Sequence, residues 1–158
     1  FPIYTNQDLR VDIPLVGVMM ALRDFGFILA SIVLGALSDK IGRRPLLLGG
    51  VTLTALSIYF LSTTEVPTLL SLLMLLSGFA SGTVWITLPI LVTEVVAVSF
   101  RGIAMGVFRT TFDVGAVFGP IFAMSVLNSM GVGSCFLLGS LLMLLNLLPI
   151  LLFLRKER

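Results

Sequence analysis

The chain has 158 residues, 58% of them hydrophobic and 11% charged, with a net charge of +2 and a mean hydropathy of +1.14, whereas an ordinary globular domain carries about 25% charged residues. A soluble domain of this size buries only about two-thirds of the surface its unfolded chain exposes, so the apolar remainder must face lipid or another chain, and the small charge, with no basic stripe interleaved with aromatics, argues against nucleic acid as a partner. With no histidine and a single cysteine, Cys135, the chain has no nitrogen- or sulfur-rich metal site and no intrachain disulfide, and most nucleophile–base pairs are excluded.

Residues 1–10 include Asn6, Gln7 and Asp8, show neither the basic start nor the apolar run of a secretory signal, and contain no initiator Met, so the chain reads as a fragment that begins inside a longer protein. Five apolar blocks follow, over 13–37, 45–62, 68–95, 102–127 and 134–154, each near the roughly 20 residues a helix needs to cross the hydrocarbon. Runs such as 69–76 and 141–148 do not alternate as the strands of a membrane barrel would, so the blocks are predicted to be helices. The connections 38–44, 63–67, 96–101 and 128–133 are short and make successive helices antiparallel neighbours. Lys40, Arg43, Arg44, Arg101, Arg155, Lys156 and Arg158 fall on one side and only Arg10 on the other. The positive-inside rule places the first group in the cytoplasm, with the N-terminus outside and the C-terminus inside. Five spans satisfy that arrangement.

Four ionisable residues lie within the blocks: Arg23 and Asp24 in the first, Arg109 and Asp113 in the fourth. Each costs about 2.5–3.5 kcal/mol at a helix centre, so such residues face protein or a water-filled path and are functional candidates; a structural ion pair that locks helices together is the alternative. Gly17-Val18 and Gly106-Val107 both open the pattern G-V-x5-D-x-G, which ends at Asp24 and Gly26 in one block and at Asp113 and Gly115 in the other. Each Asp stands about eleven residues from its helix start although the helices enter from opposite sides, which puts both near the midplane, as an inverted-topology repeat would. Chance recurrence of Gly and Val is the competing explanation. Arg109 and Asp113, spaced i,i+4, share a helix face, whereas Arg23 and Asp24 are adjacent and are not expected to face each other, so one of them is expected to pair elsewhere, across to Asp113 or Arg109.

Small residues cluster at Gly78, Ala80, Ser81 and Gly82 and again at Gly102, Gly106, Gly115 and Gly119, where close helix packing is the first expectation. Pro89 and Pro120 lie inside blocks, where each frees a carbonyl and favours a kink. Trp85, Thr83 and Thr87 are weaker candidates for lining a cavity; the tryptophan suits lipid or core packing equally.

The first cytoplasmic connection and its flanks read Gly35-Ala36-Leu37-Ser38-Asp39-Lys40-Ile41-Gly42-Arg43-Arg44-Pro45-Leu46-Leu47. This resembles the major facilitator superfamily pattern G-x-L-a-D-r-x-G-r-r-x-x-l at every defined position. Gly35 permits close packing, Gly42 a tight loop, and Asp39 can meet a helix N-terminus or a cation. The resemblance implies a gating role for the loop (Gly35, Asp39, Lys40, Gly42, Arg43 and Arg44). Glu94 with Arg101-Gly102 resembles the family's E-x6-R-G stretch, which implies cytoplasmic salt bridges: Arg43 or Arg44 with Glu94, and Arg101 with Asp39 or Glu157. Gly115-x3-Gly119-Pro120 resembles the start of the antiporter helix-packing motif, but Ala123 and Met124 stand where two glycines would follow. The five blocks then fit helices two to six of a six-helix half that lacks its first helix. Met74 at a place where N-terminal halves carry arginine, and the ending Arg155-Lys156-Glu157-Arg158, point to the C-terminal half.

The fold class expected is therefore all-α and polytopic, in the cell membrane, with the bilayer and the other half of the transporter as partners. The function implied is secondary transport of a small solute (a sugar, a small organic solute or a drug-like compound) by alternating access, with protons as a candidate coupling ion. No cofactor, metal or enzymatic activity is expected. Asp24 and Asp113 are the candidates for coupling or substrate contact, because a carboxylate in low-dielectric surroundings has its neutral form favoured and can take up a proton. Arg23 and Arg109 would hold those acids charged or bind an anionic substrate. The alternative is a transport-inactive membrane module that pairs with a partner chain.

Overall fold

A computed structural model describes residues 12–64, 66–148 and 150–151, with residues 35–39 described by their backbone alone. Regular structure among the described residues is helical: α1 (Ile13–Ile41), α2 (Arg43–Thr63), α3 (Pro67–Val95), a 3-10 turn at Val98–Phe100, and a hydrogen-bonded run from Arg101 to Leu145. Pro67 opens α3 in the first helical turn, where its missing N–H would have had no partner in any case.

The connection expected over 38–44 is not a loop. Helix α1 continues to Ile41 and α2 starts at Arg43, leaving Gly42 alone between them. Gly42 has φ 86 and ψ 155, a region open in practice only to glycine. One residue suffices because glycine can turn the chain within a single peptide.

The last run has 45 residues, and a straight helix of that length would measure about 68 Å, more than twice the roughly 30 Å of hydrocarbon. It does not stay straight. Gly131 has φ 79 and ψ 174, and the Cys135 thiol lies 3.7 Å from the Ala123 carbonyl oxygen, whereas twelve residues of straight helix would separate them by about 18 Å. The run is a helical hairpin of α4 (101–130) and α5 (132–145), with helical residues again at 147–148 and 150–151. Each hydrogen-bonded run is long and apolar enough to cross a bilayer; in the last, folded at Gly131, α4 has the length of one crossing and α5 measures about 21 Å to Leu145.

Helix α3 is the centre of the bundle, with α1 along one side and α2 along another, while the α4–α5 hairpin leans mainly on α2. Val16, Met19, Leu61, Leu70, Leu73 and Met74 form the apolar cluster where α1, α2 and α3 meet. Glycines set the α1–α3 spacing. A Cβ added to Gly78 would fall onto the carbonyl oxygen of Arg23, one on Gly26 onto that of Leu75, and one on Gly82 within 2.8 Å of the Ala30 Cβ. The backbones touch because Gly26 and Ala30 on α1 face Gly78 and Gly82 on α3, small residues four apart on both partners. The other expected cluster behaves differently: Gly102, Gly106, Gly115 and Gly119 have nothing within 4 Å of such a Cβ. Of residues 101–130 only Val126 is buried.

Gly78→Ala should lower the thermal unfolding temperature of the full-length protein in detergent by several degrees, while Gly49→Ala, at an open helical position, should leave it equal or slightly higher, since alanine gains about 0.8–1.0 kcal/mol over glycine in a helix interior. Equal effects of the two would contradict the packed seam. Gly131→Ala should cost about 1–2 kcal/mol, the penalty of a side chain at positive φ, and Gly133→Ala much less; the same melting measurement compares them.

Candidate functional site

The four intramembrane charges form two intrahelical pairs. An Arg109 nitrogen is 3.6 Å from an Asp113 oxygen, as the i,i+4 spacing requires, and an Arg23 nitrogen is 3.8 Å from an Asp24 oxygen. The second pair corrects the expectation that neighbours on a helix cannot meet: arginine is long enough to curl back although its Cβ leaves the helix in another direction. The expected cross-pairing between α1 and α4 is not made, because α1 lies against α3 while the hairpin leans on α2. Both separations exceed the 2.7–2.9 Å of a charge-assisted hydrogen bond. The side chains are also largely uncovered by this chain, at 52% and 73% for Arg23 and Asp24 and 70% and 61% for Arg109 and Asp113.

The carboxylates sit at comparable depth. Asp24 is eleven residues into α1 and Asp113 twelve into α4, about 17 and 18 Å along the axes at 1.5 Å per residue. Their settings differ. Gly26, two residues beyond Asp24, is pressed against α3, whereas Gly115, two beyond Asp113, has open space around it.

Two cavities adjoin these groups. One, of about 360 Å³, is a half-open cleft between α1, α2, α3 and α5, lined by Arg23, Thr54, Met74, Ser77, Ser81 and Phe136 among others. Its hydroxyls give their protons to their own helices: Thr54 to the Gly50 carbonyl (2.7 Å), Ser77 to that of Met74 (2.9 Å) and Ser81 to that of Gly78 (3.0 Å). This satisfies the polar atoms inside the membrane and leaves oxygen lone pairs for a guest. The other, of about 280 Å³, is an aromatic slot between α3 and α4, closed on one side by the edge-to-face contact of Trp85 and Phe112 with ring centroids 4.5 Å apart. Of the weaker candidates, Trp85 lines this slot, while Thr83 and Thr87 are buried; a methyl of Thr83 faces Gly50 of α2. Thr54, Ser77 and Phe136 do not stand out in the sequence, and Ser81 stands out there only as a helix-packing residue. Ser77 and Ser81 share with Gly78 and Gly82 the i,i+4 spacing that would have marked a polar edge beside the close-packed seam.

At the other end of the bundle, Arg43 of α2 forms an ion pair with Glu94 of α3, one of the pairings expected from the loop. The surroundings of Gly35, the side chain of Asp39, the pairings of Arg101 with Asp39 or Glu157, and the ending 155–158 lie outside what is described. Gly42 turns the chain as the pattern requires. Pro120 stands inside α4 and Pro89 inside α3.

Residues 1–158, the whole chain, match the family model of the Major Facilitator Superfamily. The chain belongs to this superfamily. Its members are transporters rather than enzymes, and the chain is accordingly an all-α, multi-pass membrane protein. Among curated relatives, an uncharacterised transporter of this type from Mycobacterium tuberculosis, found in two strains, is 32% identical over 90 residues, covering 57% of this chain and 13% of the relative. The class C tetracycline resistance protein of Escherichia coli is 31% identical over 132 residues, covering 84% of this chain and 33% of the relative. The chain thus spans a third or less of the length of these superfamily relatives. No solved structure matches it.

The Arg43–Glu94 pair of this superfamily member is partly exposed, at 29% and 49%, so solvent screening limits what it adds. A double-mutant cycle with Arg43→Gln and Glu94→Gln on thermal stability should give a coupling of about 1 kcal/mol or less. A coupling of several kcal/mol would mean that the pair is desolvated in the whole protein.

Proposed function

We propose that this chain forms part of one half of a secondary transporter in the cell membrane, with its N-terminus outside and C-terminus in the cytoplasm, moving a small organic or drug-like solute by alternating access. The reading is carried by two Arg–Asp pairs that stand about 17 and 18 Å along helices long enough to cross a bilayer and that this chain's own helices leave mostly uncovered. Ionised groups at that depth are stable only against protein or along a water-filled path. Asp24 and Asp113 contact substrate or a coupling proton; Arg23 and Arg109 hold them charged in one state of the cycle.

Further helices cover what is open here. The G-V-x5-D-x-G repeat gives α1 and α4 matching groups, and in α1 the glycine after the aspartate receives α3. By the logic of an inverted repeat, the open glycine of α4 receives the corresponding helix, the first of the half, and the remaining exposed charges meet the other half. The joint at Gly42, with Lys40, Arg43 and Arg44 on the helices it links, and the Arg43–Glu94 pair latch the cytoplasmic side, and Arg101 joins that latch. A relative named for tetracycline resistance supports drug-like compounds among the solutes.

The test is solute uptake by the full-length protein in sealed vesicles, screened over sugars, small organic acids and amphiphilic drugs with and without an imposed proton gradient. Asp24→Asn and Asp113→Asn should each reduce uptake at least tenfold with folding retained. Unchanged uptake in both would remove the carboxylates from the transport path, and the absence of any flux across the screen would favour a module that only pairs with a partner chain.

A further inference from the structure

We infer that the cavity between α1, α2, α3 and α5 is a binding site for a compact carboxylate with an apolar, ring-bearing body and a hydroxyl or amine hydrogen. It shares Arg23 with the transport reading without depending on turnover.

Its single cation is well placed. The backbone of Arg23 is pinned where its carbonyl oxygen meets Gly78, so the side chain starts from a fixed point on the α1–α3 seam and borders the cavity. Asp24, at 3.8 Å, is too far to engage the guanidinium in a short hydrogen bond, which leaves its fork of donors for a carboxylate, the partner that matches it bidentately. The walls complete the specification. Met74 and Phe136 offer a thioether and a ring to an aromatic body. Thr54, Ser77 and Ser81 have already given their protons to the backbone, so toward a guest they act as acceptors and select a solute that carries a donor. A volume of about 360 Å³ falls within the range of small-molecule sites, about 300–1,000 Å³. One cationic fork, a set of acceptors and an apolar remainder disfavour a cationic or purely apolar guest, because neither offers the guanidinium a short hydrogen bond in place of the long contact to Asp24.

The probe is fluorescent 6-hydroxy-2-naphthoate, titrated into the full-length protein in lipid nanodiscs with empty nanodiscs subtracted, alongside 2-naphthol, which lacks the acid, and 2-naphthoate, which lacks the hydroxyl. The hydroxy acid should bind saturably and at least tenfold more tightly than 2-naphthol, with 2-naphthoate between them. Arg23→Gln should weaken the hydroxy acid about tenfold or more, the scale of a charged hydrogen bond, and leave 2-naphthol nearly unchanged. Ser81→Leu, which fills the cavity without touching the charge, should weaken all three. The inference is overturned if 2-naphthol binds as tightly as the acids, or if neither variant changes the affinity of the hydroxy acid. The ligand series on the unmodified protein decides the matter even if a variant fails to fold. Loss of flux in Asp24→Asn with indifferent naphthoate binding would sink this site and leave the transport reading standing; the reverse pattern would do the opposite.

Discussion

Two helices can approach until their backbones touch only where neither carries a side chain at the crossing, and Gly78 meeting the carbonyl oxygen of Arg23 is such a crossing. In lipid there is little hydrophobic gain from bringing helices together, so van der Waals contact along a smooth seam has to supply the association. Gly26 and Ala30 on one side and Gly78 and Gly82 on the other make α1 and α3 a unit. The position of Arg23, the shape of the cavity beside it and the depth of Asp24 all follow from that unit.

The hairpin of α4 and α5 is held in another way. Its contacts run mainly to α2, supplemented by the ring contact of Trp85 with Phe112, and most of α4 is bare. A helix bearing Arg109, Asp113 and a row of open glycines is not a finished surface in hydrocarbon. Within one short chain, one helix is tightly seamed while its counterpart in the G-V-x5-D-x-G pattern has open space at its glycines.

Much of this was legible in the residues. Block length and lack of alternation mark helices, and the row from Gly35 to Leu47 marks the superfamily because glycine, aspartate and arginine are each needed there for a local physical reason. Other features were hidden by the range of the interactions that decide them. Whether 38–44 is a loop depends on the dihedral angles of Gly42, which a polar composition does not reveal. The Arg23–Asp24 contact depends on how far a flexible side chain bends, which Cβ spacing does not record. Gly78 and Gly115 look alike in sequence, and only the neighbouring helix makes one a seam and leaves the other open. The cavity hydroxyls were hidden as a set for the same reason: serine and threonine in a membrane helix usually bond their own backbone, and Thr54 joins Ser77 and Ser81 only when α2 lies against α3.

The single-residue joint at Gly42 has a mechanical consequence. A peptide unit reaches at most about 3.3–3.6 Å, so α1 and α2 have no slack to absorb relative sliding at that end. Axial displacement of α1 beyond that reach must drag α2 with it, and α1 is in turn fastened to α3 along its glycines. The first two helices are thus coupled at that end by one residue and α1 to α3 along the glycine seam, whereas the breaks between Thr63 and Pro67 and between Val95 and Arg101 carry no such tie.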